Sequence, residues 1–194
     1  MGGRPRGAHF AIGKLVQRQD VYKDEAVPSA FSATLKLGRH IDAMATNEDS
    51  PLFQTLKAAV EKAYGGGKLH VYGTHLTGEE VIVGSEQCRP VTDLVLEDSR
   101  QRKIIVEIKA AKKLPSKKIN TAIDKMKNHT GLKAPFHFLR DSKLSRAFLQ
   151  LGIQLKSFES GTKGFIAVVD KKQVQVLKPR PREFHKILGI IKKT

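Results

Sequence analysis

The chain has 194 residues, room for one domain with extensions, and a hydrophobic fraction of 40% is enough for one sizeable core. Lys and Arg number 35 against 19 Asp and Glu, a net charge of +16. Such an excess points to a polyanionic partner, because phosphate contacts supply affinity through charge and counterion release. A single cysteine, Cys88, excludes an intramolecular disulfide and a Cys-rich zinc site and favours a reducing, intracellular compartment, cytoplasm or nucleus. No apolar run approaches the roughly 18 residues of a membrane span.

Residues 1–45 lack clear periodicity and read as an N-terminal extension. Their first stretch carries Arg4, Arg6, Lys14 and Arg18 and no acid up to residue 19, which favours a basic arm over a targeting peptide. Arg6 stands where a myristoylation signal has Ser or Thr. The main domain is expected over 46–180. Asp49-Ser50-Pro51 is a helix start, a polar cap followed by proline at the first helical position. Leu52, Phe53, Leu56, Ala59, Val60 and Ala63 then fall on one helical stripe, and Gly65-Gly66-Gly67 stops it. Short β-prone runs follow at Lys68–Tyr72 and Val81–Gly84, with turn chemistry at Leu76-Thr77-Gly78. Val91–Glu97 and Lys103–Ala110 form a predicted hairpin around the polar run Asp98–Arg102. Ser116 caps a second predicted helix carrying Ile119, Ala122, Ile123 and Met126 and ending near Gly131. Asp141 caps a third with Leu144, Ala147, Phe148 and Leu151, stopped at Gly152. Strands are expected at Ile153–Phe158, Gly164–Val169 and Gln173–Leu177, and a C-terminal amphipathic helix or tail over 181–194 turns Phe184, Ile187, Leu188 and Ile191 inward. This order predicts an α/β fold, a mixed sheet with helices on its faces.

Ile104-Ile105-Val106-Glu107-Ile108 is apolar on both strand faces except at the acid, the pattern of a buried strand. A buried carboxylate is costly unless it is paired or holds a metal. Glu107 and Lys109 are two residues apart and share a face. With Asp98–Arg102 as the loop, Glu97 opposes Lys103, Leu96 opposes Ile104, Val95 opposes Ile105, Leu94 opposes Val106, and Asp93 opposes Glu107. Opposed residues have Cβ atoms roughly 4.5–5.5 Å apart. Two carboxylates so placed repel each other, and a hard divalent cation between them, Mg²⁺ or Mn²⁺, relieves that repulsion.

Asp93, a strand-turn-strand, then Glu107-Ile108-Lys109 resembles the core motif of the restriction-endonuclease-like superfamily, PD-(D/E)xK. The resemblance covers roughly residues 48–130 and is weaker beyond. It implies a restriction-endonuclease-like mixed β-sheet flanked by helices. It also implies that Asp93 and Glu107 bind Mg²⁺ (or Mn²⁺), that Ile108 lends its backbone carbonyl, and that Lys109 positions or activates the attacking water. Pro90 lies three residues before Asp93 rather than beside it, a departure from the pattern. The family often adds an acid from its first helix. Glu61 lies off the apolar stripe, whereas Asp49 shares the face of Leu52, Phe53 and Leu56 and is the candidate ligand, with helix capping as its competing role. Two further acid-x-Lys triplets, Asp141-Ser142-Lys143 and Asp170-Lys171-Lys172, sit at predicted element ends with no strand acid in register upstream.

The expected activity is therefore a metal-dependent endonuclease, acting on DNA more readily than RNA. Arg89, Lys112, Lys113, Lys117 and Lys118 are candidate phosphate contacts beside the cut site, with Lys125 and Lys127 on the next helix and Arg100 and Arg102 at the hairpin. Solvated surface is the competing role for each. His70, His75, His129, His137 and His185 repeat no metal-ligand spacing, and the 6% aromatic content without tryptophan gives little support for a base-stacking platform. Two other functions fit the composition: a catalytically inactive nucleic-acid-binding module of the same fold, and a basic ribosome-associated protein. A homodimer is compatible with the sequence, which does not itself reveal the oligomeric state.

Overall fold

A computed structural model of the protein describes residues 7–15, 29–111, 114, 131–140, 142–158 and 162–194. The elements run α1 (Ala8–Leu15), α2 (Ser29–Thr46), α3 (Pro51–Tyr64), β1 (His70–Thr77), β2 (Val81–Val83), β3 (Glu86–Cys88), β4 (Val91–Glu97), β5 (Lys103–Ala110), α4 (Lys143–Ser157), β6 (Lys163–Val169), β7 (Val174–Leu177), α5 (Pro181–Ile190) and β8 (Lys192–Lys193). The protein is α/β, built on a five-stranded mixed sheet in the order β1-β4-β5-β6-β7. Neighbours are antiparallel except β5 and β6, which run parallel with Glu107 beside Ile166 and Lys109 beside Val168. A small second sheet, β3-β2-β8, ties the C-terminus to the rest.

The alternation of β5 divides the core in two. Ile104, Val106 and Ile108 face one layer with Leu94 and Leu96 of β4, Leu52, Phe53, Leu56 and Val60 of α3, and Ile41 and Ala45 of α2. Ile105 faces the other with Val95, Leu149, Leu151 and Ile153 of α4, and Ile187. Helices therefore cover both faces of the central strands, as an apolar strand flanked by parallel pairing requires. Ser50 caps α3, its hydroxyl accepting from Leu52 N at 3.2 Å, with Pro51 next. Gly65 and Gly66 end that helix at φ +128° and +86°, both amides donating to Glu61 O.

Several elements depart from the sequence expectation. The run 153–158 is not a strand, because α4 continues through Gly152 to Ser157. Gly152 is a point of close approach rather than a stop: a Cβ there would lie 2.5 Å from Ile187 Cγ2 of α5. Ser142 caps α4 by accepting from Ser145 N at 3.1 Å; Asp141, the expected cap, lies outside the described residues, as do Ser116 and the helix expected after it. Within residues 1–45, the described helices α1 and α2 add side chains to the core. Ala8, Ala11, Ile12 and Leu15 of α1 join the α4 side of the core, and Ile41 and Ala45 of α2 join the α3 side. Strand β1 begins at His70 and runs through the expected turn to Thr77, continuing its pairing with β4 as far as Val91. The C-terminal helix ends at Ile190, and Lys192-Lys193 pairs with β2. No helix among the described residues is long and apolar enough to cross a membrane.

Candidate active site

The hairpin that carries the acids has the expected register. Glu97 pairs with Lys103, Leu96 with Ile104, Val95 with Ile105 and Leu94 with Val106. Asp93 and Glu107 come next, but the ladder stops before them. In its place the Asp93 carboxylate reaches across, and its Oδ2 accepts from the backbone N–H of Ile108 at 2.7 Å. The expected Asp93–Glu107 ladder pair is thus replaced by a side-chain clasp. Both acids keep the same face, since Asp93 is two residues from Val95 and Glu107 two from Ile105, and those partners share one layer.

Glu107 is 1% exposed, so its charge needs partners. It has three close groups. Lys109 Nζ, on the same strand face, is hydrogen-bonded to Glu107 Oε1. Gln154 Nε2 donates to Glu107 Oε2 at 2.6 Å. Asp93 lies near enough for the two carboxylates to repel. Burial first, then the Glu107 charge, raises the Asp93 pKa to about 8, opposed by the Ile108 N–H and by Lys109. Lys109 also donates to Gln150 Oε1 at 2.9 Å. Gln150 and Gln154 are one turn apart on α4, so the same helix face reaches both members of the Glu107–Lys109 pair.

A third acid bears on Asp93 through its charge. Asp49 is exposed, and the capping role beside it belongs to Ser50. Asp42 of α2 is among the charges that raise the Asp93 pKa, and its Oδ2 lies 3.3 Å from His75 Nε2. His75 sits on β1 between Thr74 and Leu76, which pair with Leu94 and Thr92 on either side of Asp93. Its backbone is in the left-handed region at φ +51°, an uncommon conformation for a residue other than glycine. Glu61, the other helical candidate, instead accepts from Leu69 N at 2.9 Å and pairs with Lys57 at 3.3 Å. The sequence signal for Asp42 is the apolar spacing Leu37, Ile41, Met44 and Ala45, buried or half-buried in α2.

Among the described residues no group of three or more His, Cys, Asp or Glu side chains gathers tightly enough to hold a metal ion alone. Mg²⁺ keeps several of its waters and takes only one or two protein carboxylates. Asp93 and Glu107 are the two carboxylates that could hold such a cation.

Of the candidate phosphate contacts, Arg89 is exposed, while Lys112, Lys113, Lys117 and Lys118 lie outside the described residues, as do Lys125 and Lys127. Arg102 has a structural role, pairing with Asp98 at 2.7 Å and stacking over Tyr64. Asp170, from one of the two other acid-x-Lys triplets, serves a turn, accepting from the backbone N–H of Leu114, Lys172 and Gln173.

No family model matches the chain, and no curated protein matches it. A solved structure described as that of SSO0001 is similar at 15% identity, with an alignment that covers 94% of this chain and 82% of that one and a TM-score of 0.34.

Proposed function

We propose that the protein is a divalent-metal-dependent nuclease that hydrolyses phosphodiester bonds in nucleic acid, DNA in preference to RNA. The observation that carries this reading is the crowding of Asp93 and Glu107 on one sheet face with Lys109 beside them. Burial beside the Glu107 charge suppresses the ionisation of Asp93, and a cation between the two carboxylates would relieve that repulsion. Asp93 and Glu107 are the residues that would hold Mg²⁺ or Mn²⁺. Asp42 takes the place expected of Asp49 as the supporting helical acid. A cation bound there supplies an activated water and neutralises charge on the phosphate.

The protein's own groups account for the rest. Lys109 offers a fixed positive charge at the edge of the site, one-third exposed and so open to a phosphate oxygen. The Ile108 N–H holds the Asp93 carboxylate in place between the strands. The net charge of +16 draws the polyanion to the surface.

The test is a cleavage assay on plasmid DNA and structured RNA in Mg²⁺, Mn²⁺ and EDTA. Cutting is expected with metal and absent with EDTA. Glu107→Gln and Lys109→Met are each expected to slow it at least about a hundredfold. Tight, salt-sensitive binding without cutting would leave only a nucleic-acid-binding module.

A further inference from the structure

The α4 face above the acids carries two buried glutamines. Gln150 is 5% and Gln154 0% exposed. Gln154 Nε2 donates both to Glu107 Oε2 and, at 3.1 Å, to the backbone oxygen of Val91. Its Oε1 is buried with no hydrogen-bond partner. Turning the amide over would set that oxygen against two acceptors, so the orientation is fixed by its surroundings. A buried amide with an orphaned carbonyl is a costly substitute for an apolar side chain of the same length. Its N–H₂ group, however, lies where the β4–β5 ladder has stopped, and it joins Glu107 on β5 to Val91, two residues before Asp93 on β4. One turn away, Gln150 Oε1 accepts from Lys109.

We infer that Gln154 and Gln150 are positioning residues for the candidate active site, an inference that rests on the nuclease reading. Gln154 fixes the direction of the Glu107 carboxylate and the separation of the two acid-bearing strands by bonding to both. Gln150 gives the Lys109 ammonium a seat that does not depend on Glu107. When Glu107 engages a cation, Lys109 keeps one protein acceptor and stays beside the site. Neither glutamine is placed where it reacts.

The experiment compares wild type with Gln154→Met, which keeps length and packing and removes the amide. Three readouts are taken: thermal unfolding without metal, Mn²⁺ affinity by calorimetry, and kcat and KM on plasmid DNA. Removing the orphaned oxygen offsets the lost hydrogen bonds, so Tm is expected within about 4 °C of wild type. Mn²⁺ affinity and kcat are expected to fall about tenfold or more, with KM for DNA changed less than about twofold. Gln150→Met supplies the second arm, since it leaves the strand bridge intact. It is expected to lower kcat by about threefold or more while Mn²⁺ affinity holds. Unchanged Mn²⁺ affinity and kcat in Gln154→Met overturn the positioning role and leave the nuclease reading standing. So does an equal loss of Tm and activity in both variants with normal metal affinity in the folded fraction. A wild type that neither binds Mn²⁺ nor cuts removes the nuclease reading and the positioning role with it.

Discussion

At the scale of single residues, Asp93 carries the clearest sign of electrostatic tension. Its pKa rises from 3.8 to about 8, through burial and then the Glu107 charge. In the metal-free protein the folded state therefore keeps a proton that the unfolded chain releases. Stability should fall as pH rises from about 4 to about 8, by about 1.4 kcal/mol for each tenfold difference in proton affinity between the folded and unfolded states. Asp93→Asn removes this dependence. Its Tm should match wild type near pH 4 and exceed it at pH 8 by on the order of 10 °C in EDTA, while the rise in Tm on adding Mn²⁺ disappears. Asp98 has the opposite sign. Hydrogen bonds from Tyr64, Arg102 and two backbone amides hold its carboxyl well below the ordinary range. Its contribution is full above about pH 4 and is lost as pH falls toward the folded value. Acid titration of Asp98→Asn should thus show a Tm deficit at pH 7 that shrinks below pH 4 or so. Residue patterning makes Asp93, Glu107 and Lys109 legible, because a buried strand with one acid is unusual. The glutamines are not legible, since Gln150 and Gln154 join the site only through the packing of a distant helix, and Gln has no spacing signature.

At the scale of elements, short apolar strands bounded by turn residues are readable, and a helix end set by close packing is not. The ranges of β4 and β5 and four opposed pairs follow directly from local pattern and loop chemistry. The sequence expectation ends α4 too early because Gly152 reads as a stop until α5 is seen against it. Gly152→Ala places a methyl 2.5 Å from Ile187 Cγ2. Overpacking typically costs about 1–3 kcal/mol, and alanine's helix preference returns about 1 kcal/mol. The net expectation is a loss on the order of 1 kcal/mol by chemical denaturation. Ile187→Leu, which moves the offending branch, should recover most of it in the double variant, a coupling that a double-mutant cycle reads directly. α1 and α2 are hard to read for a related reason: their apolar stripes are short, and what makes them helices is the core they cover.

At the scale of the whole molecule, two apolar layers sandwich the central strands, and the N-terminal residues belong to both. Ile12 is 5% exposed within the α4 layer. Ile12→Ala should therefore destabilise by about 2–4 kcal/mol in urea unfolding, where a free arm would show no effect. Net charge is readable from composition alone, and it speaks to partners and solubility, not to architecture.

The parallel pairing of β5 with β6 has a kinetic consequence. The acids sit on a hairpin whose pairing is local in sequence and can form within microseconds. The glutamines arrive only when the long crossover after Ala110 has closed and α4 has docked, and such distant closure is slow. During refolding, strand pairing in the hairpin should precede competence to bind Mn²⁺, and stopped-flow mixing should resolve the delay. Until that closure a nascent chain would hold Asp93 and Glu107 without Gln154 and Gln150 against them.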